Sequence, residues 1–542
     1  MSETVGVGGV PARVHDVVVV GSGCAGLATA IAARRHGLDC VVLEKADRIG
    51  GGTAISSGLL WVGNNHLHAA AGGQDSSEAV RAYLRYVGAD GIDPARMETF
   101  VEEAPGALRF FEAAGIPFRL SPRIDHYGMA PGASSGGRLV ETPAIDGAAL
   151  GDLGDRVLLP AGPLRHLGGR EALALGGPNR PATWEAAAEA GRARPGLRGS
   201  GGALVSWLLR IAVRHGAGVL TGTAAERLVF EEGRVAGVVT RDGGTIAARR
   251  GVVLATGGYE SNPDLVGRFE ALPGWQSMFP ESITGDGLTM ATEIGAALHV
   301  IGNNLSLFLG FRNPEEAPGG TATCRLSGTQ ELPAPHTIVV NRAGRRFADE
   351  SFFQAVAPRL REFDVLRRDQ PNLPCWLIFD AAYARAHSFA GRPPGAAIPD
   401  WVARAGSLPE LAEALGIDVA GLVATVGRFN ADAARGLDGE HGRGSTPWGL
   451  TRFDPSTTLG AVAEPPFHGV RLHPTALSSA GLLTDTAARV MHVRGRPIPG
   501  LFAVGNAAAR TETGSGYQTG FSLASGLTFG LIAAREMAGR SE

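Results

Sequence analysis

The chain has 542 residues, too many for one hydrophobic core, so two domains are expected. Hydrophobic residues make up 44% and charged residues 19%, a globular rather than a disordered balance. With 50 basic against 53 acidic residues the formal net charge is -3, which gives no basic surplus for nucleic acid or an anionic membrane.

The first residues, "MSETVGVGGVPARVHD", lack a basic region followed by an apolar core, so no signal peptide is expected. The most apolar stretch, 17–33, is broken by a glycine turn and is too short to span a bilayer. Cys24, Cys40, Cys324 and Cys375 have neither metal nor haem spacing, so no metal is expected. Four scattered thiols fit a reducing cytoplasm.

The stretch "HDVVVVGSGCAG" opens the first structured element. Residues 17–20 read as a parallel strand buried on both faces. Gly21, Gly23 and Gly26 form GxGxxG: a tight turn, a close approach to pyrophosphate, and close packing of helix on strand. A helix over 27–36 then points its amide end at the phosphates. A second strand, "CVVLEK", ends at Glu44, placed to accept hydrogen bonds from a ribose diol. This strand–turn–helix–strand–acid order predicts a dinucleotide site.

FAD rather than NAD follows from what comes next. "GGGTAISSG" (50–58) is a second run of small residues, including Gly51, Gly52, Thr53, Ser57 and Gly58. Downstream, "GVVLATGGY" ends a strand in Thr256, Gly257 and Gly258, and "IPGLFAVGNAA" ends another at Gly505 and Asn506. One extended FAD can touch all four segments. Ala25, Lys45, Asp286, Ser522 and Leu523, beside these motifs, complete the candidate cofactor contacts.

Within the first FAD-type segment, residues 225–256 read as a β-meander with glycine turns. Between the FAD-type segments the pattern changes. "ITGDGLTMATEIGAALHVIG" reads as a glycine turn feeding a helix, and "HTIVVNRAGRRFADES" as a strand with a hairpin turn at "NRAG". "SLPELAEALGI" and "VAGLVATVGRFNADAARG" read as a helix pair. A Gly/Ala/Arg/Pro-rich stretch at 165–202 reads as a surface excursion with little core. The fold class is therefore α/β: a discontinuous Rossmann-like FAD-binding domain (1–280 and 456–542) with an inserted α+β substrate domain (281–455).

On these motifs, with "TGGYESN", "WLIFD", "EPPFHGVRL", "GLLTD" and "TGSGYQTGFSLASGLTFGLIAA", the chain resembles the fumarate reductase/3-ketosteroid dehydrogenase flavoprotein superfamily. Within it the 3-ketosteroid Δ1-dehydrogenases are the nearest likeness. The resemblance implies that Tyr517 and the N–H of Gly520 bind the substrate ketone oxygen, and that Tyr127, in "DHYGMAPGASSGGR", is a catalytic-site tyrosine. Two hydrogen bonds on a carbonyl stabilise the developing enolate and acidify the neighbouring C–H. A base then takes the α-proton while the β-hydrogen leaves as hydride to the flavin.

One position departs from the family. Where the resemblance implies a tyrosine base, this chain has Gln354, flanked by Phe352 and Phe353. A carboxamide takes no proton at neutral pH. Either Tyr127 becomes the base or the substrate's α-proton is unusually acidic, with His126 and His473 next in line. The implied substrate is a cyclic ketone, a 3-ketosteroid or a smaller cyclohexanone-type ring. The alternatives are a fumarate-reductase-type ene-reductase and a flavoprotein that has lost catalysis. No basic residue lies between Arg510 and Arg535 to clamp a dicarboxylate, and residues 50–58 hold no histidine for covalent flavin attachment. FAD should therefore be non-covalent, and electrons should pass to an external acceptor.

Overall fold

Val17, Val18 and Val19 are fully buried, as a strand covered on both faces must be. They lie in β1 (Arg13–Val20) of a computed structural model that describes residues 13–315, 324–326, 330–446 and 455–539. Residues 1–12, read above for a leader, lie outside the described residues. Strand β1 pairs in parallel with β2 (Cys40–Leu43) on one side, Val18 facing Val41. On the other side it pairs with Thr245–Leu254, Val18 facing Val252.

Helix α1 (Cys24–Arg35) connects β1 to β2. It begins at Cys24 rather than 27, because Gly23 is the N-cap and Gly26 falls inside the first turn. A Cβ on Gly26 would stand 2.0 Å from the carbonyl oxygen of Gly21, so only glycine lets the helix lie this close to the strand. Helix α1 packs on Ser200–Arg214 and on the C-terminal helix Phe521–Met537. The sheet continues in parallel to Gly218–Leu220 beyond β2 and to Pro497–Ala503 beyond Thr245–Leu254. Residues near both ends of the described chain thus share one sheet. The expected meander is present: Ala225–Glu231, Arg234–Thr240 and Thr245–Leu254 pair antiparallel in sequence.

The order of strands explains where a ligand can go. From β1 the chain moves to one side for β2 and later to the other side for Thr245–Leu254. Ligands of open α/β sheets bind beyond the carboxyl ends of the strands at such a reversal. Gly21, Glu44 and Ala255 are the residues that follow those three strands.

A second sheet runs Cys324–Leu326, Leu307–Arg312, Phe467–Ala476, Cys375–Phe379, Thr337–Asn341, all antiparallel, with Ala403–Ala405 also pairing Phe467–Ala476. Its long strand Phe467–Ala476 lies past residue 455 and bridges Leu307–Arg312 and Cys375–Phe379. The "NRAG" turn closes, with Gly344 N–H donating to the Asn341 carbonyl at 2.9 Å, but it makes no strand hairpin. Thr337–Asn341 pairs instead with the distant Cys375–Phe379, and the chain after the turn reaches the helix Phe353–Leu360. The expected helix pair is present as Leu408–Leu415 and Val419–Ala433. The stretch 165–202 is more than a surface excursion: it forms the helix Pro181–Ala193, buries Trp184 and Ala187, and sends Gly176–Asn179 to a cavity wall. No helix among the described residues is long and apolar enough to cross a membrane.

Candidate active site

A cavity of about 1010 Å³ opens at the strand reversal. Gly21 turns the chain out of β1 with φ +109°, where a Cβ would stand 2.3 Å from the Ala255 carbonyl oxygen. Gly21, Gly23 and Ala25 line the cavity at the amide end of α1, whose N-cap Gly23 brings no side chain to cover those amides. That end is a ready anion site. Thr53 Oγ1 accepts from Cys24 N–H at 3.0 Å and fixes the 50–58 segment against the helix.

Glu44 lines the same cavity and is buried. One of its oxygens accepts from Ser22 Oγ at 2.6 Å and Ser22 N at 3.2 Å, the other from Ala46 N at 2.9 Å. Those bonds hold the carboxylate in place and leave it acceptor capacity for a ribose diol. Ser22, whose hydroxyl also accepts from Gly50 N–H at 3.0 Å, is a positioning residue that the glycine pattern treats as a free position. Lys45 and Asp286 line the wall but pair with each other at 2.7 Å, tying the end of β2 to the helix Asp286–Glu293.

The other three segments converge on this space. Gly51, Gly52 and Ser57, then Thr256, Gly257 and Gly258, then Gly505 and Asn506 line it, as do Ser522 and Leu523 on the first turn of the C-terminal helix. Thr256 Oγ1 and Asn506 Oδ1 are buried in this wall with no hydrogen-bond partner, the signature of groups awaiting a ligand. An acid held for a ribose, bare helix amides and two orphaned polar atoms fit FAD. Gly26 and Gly58 are the exceptions: neither lines the cavity. Gly26 serves helix–strand packing, and a Cβ on Gly58 would fall 2.5 Å from the Ser200 carbonyl carbon.

Tyr517 and Gly520 line the same cavity. Gly520 is the N-cap of the C-terminal helix and its carbonyl accepts from Trp61 N–H at 3.1 Å. The Tyr517 ring sits among Phe308 (5.0 Å between centroids, edge-on), Phe353 (5.8 Å) and His126 (5.6 Å). Its hydroxyl lies 3.4 Å from Thr519 Oγ1. Burial holds its phenol above the ordinary tyrosine pKa, against the pull of Thr519 and of two cations, Arg123 and Arg510. Tyr517 is therefore a proton-bearing donor at neutral pH.

Tyr127 is not on the cavity wall. Its ring is buried edge-on to Tyr83, Tyr86 and Phe352. Burial pushes its phenol well up, and the backbone N–H of Tyr517 at its hydroxyl offsets only part of this. Gln518 fixes this arrangement: its Oε1 accepts from Tyr83 hydroxyl at 2.5 Å and from His126 N–H at 2.8 Å. His126 is fully buried and held neutral by that burial. His473 Nδ1–H donates to the Gly274 carbonyl, 2.8 Å away, off the cavity wall. Gln354 donates from Nε2 to the Tyr517 carbonyl at 3.2 Å. Arg510 is buried and donates to Ser306 Oγ at 2.9 Å and Asn304 Oδ1 at 3.2 Å, a structural tie away from the wall.

Arg123, in "SPRIDHYG" and outside every motif singled out in the sequence, also lines the cavity near Tyr517. Its only advance signal is its place four residues before Tyr127.

Residues 16–526 match the family model described as FAD binding domain. The chain is 36% identical to the 4-oxocyclohexanecarboxylate 2-dehydrogenase of Sinomonas cyclohexanicum, over 98% of this chain and 94% of that one. It is 32% identical to the 3-oxosteroid 1-dehydrogenase of Mycobacterium tuberculosis, over 96% and 98%. Among solved structures it is similar to the 3-ketosteroid Δ1-dehydrogenase of Sterolibacterium denitrificans in complex with 1,4-androstadiene-3,17-dione. That match has a TM-score of 0.86 and 28% identity, over 97% of this chain and all of that one.

Proposed function

The chain belongs to the FAD binding domain family, alongside ketosteroid and cyclohexanecarboxylate dehydrogenases, and from that premise we propose that it desaturates a cyclic ketone, introducing a C=C bond α,β to the carbonyl. The observation that carries this reading is the pair Tyr517 and Gly520, presented on the wall of the cavity that the cofactor motifs also line. A protonated phenol and a backbone N–H converging on one oxygen make an oxyanion site. They polarise the ketone, acidify its α-hydrogens and stabilise the enolate as the proton passes to solvent in the cavity. Phe308 and Phe353 around the Tyr517 ring keep water from competing for that oxygen. FAD, when bound, supplies the acceptor for the β-hydride.

Glu44 and the α1 amides would hold the ribose and phosphates, and Thr256 and Asn506 would meet the rest of the cofactor. The FAD-binding unit is discontinuous, built from strands on both sides of the second sheet's segment, and the cofactor is non-covalent. Electrons leave to an external acceptor. Gln354 steadies the Tyr517 loop and takes no part in proton transfer. A dye-coupled assay tests the reading: a cyclohexanone-type ketone should yield a product two hydrogens lighter with the C=C conjugated to the carbonyl. An unchanged ketone, or a saturated product formed from an enone, would overturn it.

A further inference from the structure

Arg123 is a cation on the cavity wall with no anion beside it among the described residues. The arginines that precede and follow it in sequence, Arg119 and Arg138, are matched, as is the buried Arg96. Arg119 pairs with Glu141 at 2.8 Å and also with Glu171. Arg138 pairs with Asp75 at 2.6 Å and with Asp125 at 2.8 Å, and Arg96 with Glu512 at 3.1 Å. No carboxylate among the described residues pairs with Arg123, and its Nε is buried with no hydrogen-bond partner. Glu141, the carboxylate whose charge reaches it, is already held by Arg119.

A guanidinium left unpaired inside a protein is costly, and a permanent cation cannot escape that cost by losing its proton. Burial does push the Arg123 pKa down, which measures the same penalty. The side chain lines the cavity shared by Tyr517 and Gly520, and its charge acts on both the Tyr517 phenol and His126. This is the ketone end of the cavity. The phosphate end is at Gly21, Gly23 and Ala25, on the first turn of α1.

We propose that Arg123 is the receptor for a carboxylate on the substrate, so that the ketone taken here is a cyclic keto acid held by Tyr517 and Gly520 at its carbonyl and by Arg123 at its acid. The planar guanidinium matches a carboxylate two bonds at a time, which fixes the ring's orientation as well as its presence. A ring held at two points presents one α-carbon and one β-carbon, whereas a ring held by the ketone alone can turn. Steroids, with no acid to offer, would leave the cation desolvated and unmatched. The inference rests on the ketone-desaturase reading and adds the substrate class to it.

The test compares 4-oxocyclohexanecarboxylate with its uncharged amide, 4-oxocyclohexanecarboxamide, on the FAD-loaded enzyme. Wild type should prefer the acid in kcat/KM by about 100-fold, the size expected for a desolvated charge pair. Arg123→Gln should bring that ratio close to one, and Arg123→Lys should restore part of it. An unchanged ratio in Arg123→Gln, or a wild type indifferent to the charge, overturns the proposal. So does a variant that loses FAD affinity while keeping the ratio, because the guanidinium then serves a cofactor phosphate. Cyclohexanecarboxylate, which has no ketone to desaturate, gives a second readout through the visible flavin spectrum. It should bind wild type and bind Arg123→Gln about 100-fold more weakly. That measurement judges Arg123 even if neither ketone is turned over, an outcome that would defeat the desaturase reading alone. Should Arg123→Gln fail to fold, the acid-to-amide ratio of wild type and the cyclohexanecarboxylate titration decide.

Discussion

Gln354 Nε2 donates to the backbone carbonyl of Tyr517 at 3.2 Å. The residue at the position where related enzymes are expected to carry a base is thus a tether for the loop that carries the proposed carbonyl donor. Gln354→Ala should lower kcat by about fivefold, since a neutral hydrogen bond is worth roughly 1 kcal/mol. FAD content should be unchanged. Gln354→Glu should be slower still at neutral pH, because a carboxylate facing a carbonyl oxygen repels it. Steady-state kinetics of both variants check this, and a faster Glu variant would show that a base at this position is productive.

Tyr517→Phe removes one of the two donors proposed for the developing enolate. Loss of such a donor typically costs about 10²–10³ in turnover. Fold and bound flavin should survive, since the hydroxyl's one hydrogen-bond partner among the described residues is Thr519 at 3.4 Å. The sign of the pH dependence follows from burial, which raises the phenol's pKa above the ordinary value near 10. The donor is present throughout the neutral range and is lost only as pH rises past that raised value. Any alkaline fall in kcat assigned to it should vanish in Tyr517→Phe.

Tyr127→Phe should reduce kcat by less than tenfold and leave the pH–rate profile in place. Its phenol is buried away from the cavity wall and its pKa is raised, which makes a tyrosinate there unfavourable near neutrality. Stopped-flow flavin reduction across pH reads this directly. Abolished reduction with loss of the alkaline limb would instead make Tyr127 the base.

Acid or heat should release FAD from the polypeptide, because no histidine occurs in 50–58 to attach it. Glu44→Ala should weaken FAD retention by about tenfold or more, since a charge-assisted hydrogen bond contributes roughly 1.5–3 kcal/mol. Dialysis followed by the visible spectrum measures the loss. Flavin remaining with the precipitated protein would contradict the first expectation.

The cavity wall built from the glycine motifs was legible because its signals are local. Four apolar residues, a glycine turn, a helix and an acid occur in sequence order, and the fold keeps them together from Val17 to Glu44. The converging glycine segments were legible for the same reason, each being a strand end with a small residue after it. What escaped depends on contacts between residues far apart in the chain. Tyr127 was expected as a catalytic-site tyrosine and lies off the cavity wall, in a loop aimed by Gln518, which reaches across from the Tyr517 loop to accept from His126 N–H and the Tyr83 hydroxyl. The "NRAG" turn looked like a hairpin because its partner strand, Cys375–Phe379, lies beyond the reach of a local pattern. Arg123 in a polar loop reads as a solvated charge until the absence of a partner around it is seen.

The central claim is that this cavity removes two hydrogens from a cyclic ketone. Anaerobic mixing of the yellow, FAD-loaded protein with 4-oxocyclohexanecarboxylate tests it most directly. The account predicts that the flavin bleaches in one phase and that one equivalent of the conjugated enone appears for each flavin reduced. A flavin that stays oxidised with this acid, and with cyclohexanone and 3-ketosteroids as well, would contradict it.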